Sequence, residues 1–326
     1  MDKLYEMWER QRRFTENFIP PWALQIEKIQ YTKEMLLALV AEIDELLKAT
    51  GKWKMHRESP SRFSRSGLIE EAVDIFKYLL NILVVFDIKP EEFVEEFERK
   101  SLVVEERYKW EQGLTAIKAS KLKAAAVDLD GVLARYPENW ISYLNQKLCT
   151  QYTLEDYDFE LPFPEIPRHQ YYELKHEFRD KGFESASVLP FEDAAEFTKE
   201  LHKRGYKIII LSARPYERYK RIQSDTILWM RNHNIEYDAF LWSSKKHIKI
   251  IEEIPHLSFM VEDDPRIANQ VASMGYICFL RERPYNREYP TLDGVIRVRN
   301  LMEIFSYLDS ELPRDDGEKS NGGGRL

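Results

Sequence analysis

The chain has 326 residues, 44% of them hydrophobic and 13% aromatic, which is enough to bury the cores of two domains. A formal charge of −8 argues against a protein built to coat nucleic acid. Cys149 and Cys278 stand far apart without metal-type spacing, as in a reduced cytoplasmic protein, and the most apolar run, Leu79–Phe86, is too short to cross a bilayer.

The charged start, MDKLYEMWERQRR, reads as an amphipathic helix over 2–18 rather than a signal peptide, and Pro20-Pro21 ends it. The expected location is the cytoplasm, with no membrane partner. A second helix is expected from about Leu24 to Ala49, with the stripe Leu36, Leu39, Val40, Ile43 and Leu47. Gly51 stops it. A basic, Ser-rich loop follows through Trp53, Lys54, His56, Arg57, Arg62 and Arg65. Gly67–Asp87 is apolar over most of its circumference (Ile69, Ala72, Val73, Phe76, Leu79, Leu80, Leu83), which predicts the buried centre of a bundle. Pro90 opens a fourth helix with Glu91 and Glu92 in its first turn, where the helix dipole favours acids.

Gly113–Lys123 reads as a linker. After it, Ala124–Leu133 (AAAVDLDGVL) is a short apolar strand ending in two aspartates and a turn glycine. An aromatic helical insert, with Trp140, Leu144, Tyr171, Leu174 and Phe178, runs to about Ser187 and is placed to cap the aspartates. From Phe191 helices and strands alternate: helices 191–204, 216–233, 247–253 and 265–274, and strands 207–212, 238–242, 258–261 and 276–280. Strands separated by helices imply a parallel, doubly wound sheet. The tail from Pro313, polar and glycine-rich, is expected to be disordered.

Two carboxylate pairs stand out in the N-terminal helices. Glu42 and Glu45 are three apart on the second, and Glu71 and Asp74 three apart on the third, so each pair shares a face. Taken singly, such pairs are ordinary solvated faces. If the faces meet, four carboxylates converge, and an all-oxygen set suits Mg²⁺ that completes its shell from water and phosphates. The order E-x-x-E, WK, basic loop, E-x-x-D on an apolar helix resembles the all-α nucleoside triphosphate pyrophosphatases, dimeric dUTPases and MazG-type proteins, over residues 4–110. The resemblance implies that Glu42, Glu45, Glu71 and Asp74 hold metal, that Gln11 reads the base and that Asn81 contacts the nucleoside. It also implies that Lys100 and Arg107 bind phosphates, although Val104 replaces the asparagine between them. A dimer through the helical domain is implied as well.

The second set of motifs falls at strand ends, where open α/β sheets build active sites. Asp128 is the candidate nucleophile and Asp130 the candidate acid/base. Ser212 follows KIIIL with Arg214 beside it, LWSSKKH offers Lys245 or Lys246, and FMVEDDP offers Glu262, Asp263 or Asp264 as the acid that completes a metal site with Asp128 and the Asp130 carbonyl. D-x-D-G alone is a common turn. The ordered series D-x-D, Ser, Lys, E-D over 123–310 resembles the haloacid dehalogenase-like phosphatases. SARPYERY…WMRNHNIEYDAF adds a likeness to the nucleotidase and polynucleotide 3′-phosphatase branches. This implies an aspartyl-phosphate mechanism with Asp128, Asp130, Ser212 and Lys246 (preferred over Lys245) in catalysis, Asp263 (preferred in its triplet) on Mg²⁺ and Arg214 on substrate.

The expectation is a multidomain chain. An N-terminal all-α helical bundle (1–117) precedes a C-terminal α/β doubly wound parallel sheet (118–312) with a small helical cap (about 135–187) and a tail (313–326). The expected function is a bifunctional nucleotide-pool hydrolase with nucleotides as partners and no nucleic acid. Two alternatives remain open: a nucleic-acid 3′-phosphatase with a helical docking domain, and a nucleotide-sensing protein.

Overall fold

The structure is a computed structural model that describes residues 2–51, 63–119, 122–159, 162–254 and 256–311. Trp53, Lys54, His56, Arg57 and Arg62 of the basic loop, and the tail from Pro313, lie outside the described residues. Two compact units divide between Lys100 and Ser101. Among the described residues no helix is long and apolar enough to cross a membrane.

The first unit is helical: α1 (Asp2–Thr15), α2 (Gln25–Ala49), α3 (Arg65–Val85) and the start of α4 (Pro90–Ala119). The Gly67 backbone N–H donates to Ser64 Oγ at 3.1 Å, a side-chain cap that starts α3 two residues before the sequence pattern suggests. Trp8 of α1 is fully buried, donates from Nε1 to the Ile88 carbonyl at 3.1 Å, and packs on Phe93. The sequence predicts α3 as a buried centre. Instead, Leu80, Asn81 and Val85 are its buried residues, while Ile69, Val73 and Leu79 are exposed. α2 has no buried residue, and Leu36, Val40, Ile43 and Leu47 of its stripe are exposed. Among the described residues the helices are too few to enclose a helix that is apolar nearly all round, and one face of α2 and α3 stays uncovered.

The second unit takes the C-terminal part of α4 into its core. The segment from Gly113, read as linker, is helix as far as Ala119. Trp110 packs on Phe240 with ring centroids 5.3 Å apart, and Ile117 is buried. A Cβ at Gly113 would lie 2.3 Å from the Asp238 carbonyl oxygen, so glycine allows this helix to approach the sheet closely. The contact division at 100/101 therefore falls inside a continuous helix, upstream of the 117/118 division suggested by composition.

The sheet holds six parallel strands, β1 (Ala124–Val127), β2 (Lys207–Ser212), β3 (Ala239–Trp242), β4 (Leu257–Glu262), β5 (Ile277–Arg281) and β6 (Val295–Val298), in the order β3-β2-β1-β4-β5-β6. The four β1 residues are fully buried and alternate between two cores. Ala125 and Val127 face one side with Phe197 and Leu201 of α7 (Ala194–Lys203) and Ile227 of α8 (Arg221–Asn232). Ala124 and Ala126 face the other with Ile250 of α9 (Lys246–Glu253) and Val271 of α10 (Pro265–Ser273). Both faces are covered, as a parallel sheet requires. β6 and α11 (Glu303–Glu311) extend the unit beyond the elements read from the sequence. Between β1 and α7, α5 (Glu138–Leu148) and α6 (Arg168–Asp180) enclose their own core of Trp140, Leu144, Phe163 and Phe178. This insert joins the sheet through an extended pair in which Arg135 N donates to the Leu189 carbonyl at 2.8 Å and Phe191 N to that of Leu133 at 2.9 Å.

Candidate functional sites

Chain order reverses between β1 and β4, and the crevice at such a switch point is where open α/β sheets bind ligands. Asp128 leaves β1 there, its backbone N–H donating to the Val261 carbonyl at 2.9 Å. Lys246, at the start of α9, is buried with Nζ 2.7 Å from Asp128 Oδ1 and 2.8 Å from Glu262 Oε2, while Lys245 is exposed. Of the acidic triplet, Glu262 holds Lys246 and accepts from the backbone N–H groups of Asp263 and Asp264. Asp264 caps α10, accepting from Arg266 N at 2.9 Å. Asp263 accepts from Tyr285 OH at 2.6 Å and lies against Gly131, where an added Cβ would meet its Oδ2 at 2.0 Å. Asp128, Glu262 and Asp263 bring carboxylate oxygens within 4.8 Å of one another.

Burial dominates the electrostatics. It pushes the Asp128 carboxyl well above the usual carboxylate range, helped by Glu262 and opposed by Lys246. Burial also raises Glu262 to about 7 despite Lys246, and Asp263 to about 7 with Asp128 adding to the effect. Burial disfavours the Lys246 ammonium, but Asp128 and Glu262 outweigh it and hold the group above its ordinary value. The site therefore crowds three carboxyls, whose charged forms burial disfavours, around one buried lysine.

A cavity of about 180 Å³ opens on these groups and on Asp130, Arg214, Tyr136, Phe159, Arg179 and Glu184, so the insert supplies one wall. Ser212 is fully buried, its Oγ accepting from Arg214 N at 3.3 Å, and Ala213 takes its place among the lining residues. Arg214 pairs with Asp130 at 2.6 Å. In the insert, Glu184 is held by Arg179 at 2.9 Å and Lys175 at 3.4 Å, and burial pulls the Lys175 ammonium down to about 7 against the Glu184 carboxylate. Tyr285, Glu184 and Arg179 carry no motif in the sequence: Tyr285 reaches Asp263 across 22 residues, and Glu184 and Arg179, a local pair, join the site only because the insert lines the cavity.

In the helical unit Gln11 and Asn81 are both buried, and Gln11 Nε2 donates to Asn81 Oδ1 at 2.6 Å. Thr15 Oγ1 donates to the same oxygen and to the Gln11 carbonyl. Thr15 was not anticipated, although it lies one helical turn beyond Gln11. A cavity of about 440 Å³ is lined by Gln11 and Asn81 together with Glu42, Asp74, Tyr31 and Phe14. Glu42, Glu45 and Glu71 bring carboxylate oxygens within 4.8 Å of one another. Desolvation and the neighbouring Glu45 and Glu42 raise the Glu71 carboxyl above its ordinary value. Asp74 stands outside that trio and pairs with Lys77 at 3.6 Å. Lys100 and Arg107 are the residues expected on phosphates, and Lys100 does not line this cavity. Arg107 lies on the part of α4 that packs in the second unit and donates to Gln223 at 2.7 Å.

A parallel sheet with a buried aspartate, lysine and acidic pair at its switch point, under a helical insert, defines a haloacid dehalogenase-like hydrolase. Residues 123–308 match the model of the family described as 5′ nucleotidase, deoxy (Pyrimidine), cytosolic type C protein, and the chain belongs to that family. Residues 3–145 match the dUTPase family model, so the helical region is dUTPase-like. The chain is thus a hydrolase that joins a nucleotidase-type phosphatase to a dUTPase-like pyrophosphatase region. Solved structures to which part of the chain is similar include a haloacid dehalogenase-like hydrolase from Streptococcus pneumoniae, with 16% identity, TM-score 0.44, and 58% of this chain and 99% of that one covered. Another is a D,D-heptose 1,7-bisphosphate phosphatase from Burkholderia thailandensis, with 12% identity, TM-score 0.36, and 57% and 98% covered. No curated relative matches the chain.

Proposed function

We propose that the chain is a bifunctional nucleotide-pool hydrolase. Residues 1–117 cleave a deoxynucleoside triphosphate, dUTP or dTTP, to monophosphate and pyrophosphate. Residues 118–312, with the insert at about 135–187 as cap, dephosphorylate a nucleoside monophosphate. The observation that carries this reading is that each unit holds its own trio of carboxylates within 4.8 Å, beside its own cavity.

In both trios the donors are all oxygen and mutually repelling, a set that fits Mg²⁺. Asp128, Asp263 and the Asp130 carbonyl would hold it in the sheet unit, and Glu42, Glu45, Glu71 and Asp74 in the helical unit. Bound there, Mg²⁺ would neutralise charge on phosphoryl oxygens. Asp128 attacks phosphorus and forms the aspartyl phosphate, Lys246 balances the phosphoryl charge, and Asp130 moves the proton. Glu262 fixes the Lys246 ammonium. In the helical unit the Gln11 amide reads a pyrimidine edge, and its bond to Asn81 fixes its orientation. The uncovered apolar face of α2 and α3 supports a homodimer through this unit. The description of the family as cytosolic supports a cytoplasmic location.

The two reactions form a sequence, because the monophosphate released by the first is a substrate of the second. The test is a screen of nucleoside mono- and triphosphates with Mg²⁺ that resolves phosphate from pyrophosphate. Pyrophosphate from a pyrimidine triphosphate and phosphate from the matching monophosphate are expected. A monophosphate ranking unrelated to the triphosphate ranking would sink the sequential reading.

A further inference from the structure

The turn after β2 meets the loop after β1 through Arg214, which the resemblance sets on substrate but which grips Asp130 instead. Arg214 has a side chain only 1% exposed, and each of its three nitrogens donates. Nε reaches Asp130 Oδ2 at 2.8 Å, Nη2 reaches Asp130 Oδ1 at 2.6 Å, and Nη1 reaches Thr226 Oγ1 at 2.9 Å. Thr226 is fully buried on α8. A planar guanidinium fork that takes both oxygens of a carboxylate fixes its rotation as well as its place. Asp130 opens on the same cavity as Asp128 and Lys246, while the two Arg214 nitrogens that grip it face the carboxylate. Lys246, by contrast, lies directly on Asp128.

We infer that Arg214 is a positioning residue. With Thr226 behind it, it holds the Asp130 carboxylate aimed into the cavity for the step that hydrolyses the phosphoenzyme. The inference rests on the phosphatase reading. In the first step an Asp128 oxygen bonds to phosphorus, the bond from phosphorus to the leaving oxygen breaks, and that oxygen takes a proton from Asp130. In the second a water oxygen bonds to phosphorus, the water proton goes to Asp130, and the bond from phosphorus to the Asp128 oxygen breaks. An aryl phosphate with a stable phenolate leaving group needs no proton in the first step. With that substrate the cost of a loose Asp130 falls on the second step alone, and the phosphoenzyme accumulates.

The experiment is rapid mixing of the full chain with Mg²⁺ and p-nitrophenyl phosphate, for Arg214→Met and Thr226→Val. Arg214→Met is expected to lower steady-state kcat and KM together by about 10²-fold, with kcat/KM little changed, and to release a burst of p-nitrophenolate of one equivalent per site. Thr226→Val, which keeps the ion pair and loses its backing, is expected to show the same burst with about a tenfold lower kcat. A raised KM with unchanged kcat and no burst would mean that Arg214 holds the phosphoryl group, and the inference fails. If Arg214→Met does not fold, Thr226→Val decides alone, and wild-type kcat without a burst overturns the inference. Failure of the phosphatase reading is distinct: Asp128→Asn would then release phosphate as fast as the wild type, and both readings fall.

Discussion

Both acidic sites gather three carboxylates within reach of one cation, yet they are built differently. In the sheet unit Asp128, Glu262 and Asp263 sit at the ends of β1 and β4 and are buried, with Lys246 set among them. In the helical unit Glu42 and Glu71 are half-buried and Glu45 is exposed on helices whose apolar faces are uncovered. Strand ends fix carboxylates through the backbone ladder, so the sheet site is preorganised within one chain. Helix faces fix them only through packing, and part of the apolar surface of α2 and α3 is uncovered. The sheet site should therefore depend on single residues, and the helical site on assembly as well.

The strongest test of that contrast is at Asp128. Asp128→Asn should cut phosphate release from monophosphates by more than about 10³-fold and leave pyrophosphate release from triphosphates unchanged, because an amide cannot form the acyl phosphate. Parallel loss of both activities in a folded variant would mean that the two sites are not independent. The reciprocal experiment is Glu45→Gln or Glu71→Gln, which should lower triphosphate cleavage by about 10²-fold, since each removes a charged metal ligand. Near-wild-type turnover in both variants would return these residues to ordinary surface charge.

The uncovered face is tested by Val40→Asp with Val73→Asp, at positions 63% and 50% exposed. In a monomer, exposed substitutions change stability by only about 0.5 kcal/mol. On the dimer reading, the double variant should halve the mass measured by sedimentation and depress triphosphate cleavage while phosphatase activity persists. An unchanged mass would remove the dependence on assembly. A smaller effect is expected at Gln11. Gln11→Ala should blunt pyrimidine preference by about tenfold in kcat/KM, because the site loses the amide that pairs with the base edge.

The smallest effect concerns stability and should be confined to the sheet unit. His202 lies 2.8 Å from Glu236 and 2.9 Å from Asp238, and its bond to Asp238 raises its pKa against the opposing effect of burial. A raised folded-state value means that this stabilisation is complete below the unfolded imidazole pKa of about 6.5 and is lost as pH rises through the folded value. For Asp238, burial opposes ionisation, but His202, Lys207 and the Ile208 N–H together lower it to about 2. Its contribution is therefore lost as pH falls from about 4 toward that value. Urea midpoints measured across pH should fall on both sides of neutrality in the wild type and flatten on the alkaline side in His202→Gln. An identical alkaline slope in that variant would exclude His202 as its source.

The sequence by itself determined the parts that depend on local pattern. β2 runs over 207–212 as its apolar run and flanking turns predict, and the motifs of the sheet unit do stand at strand ends because alternating helices and strands allow little else. Helical spacing likewise brought Glu42 beside Glu45, whereas Asp74, set on the face of Glu71 by the same spacing, stands outside the trio that Glu71 joins. Three-dimensional packing decided what local pattern leaves degenerate. Lys245 and Lys246 are equivalent in composition, and only the rotation of α9 turns Lys246 toward Asp128. Glu262, Asp263 and Asp264 are three acids in a row, separated into a lysine partner, a tyrosine partner and a helix cap by the bend from β4 into α10. Gly113 looks like a linker glycine until the Asp238 carbonyl oxygen lies where its Cβ would stand. The apolar circumference of α3 predicts burial, but periodicity records only that a surface avoids water. Whether another part of the same chain covers that surface is settled by how many helices are at hand, and among the described residues of this unit there are too few.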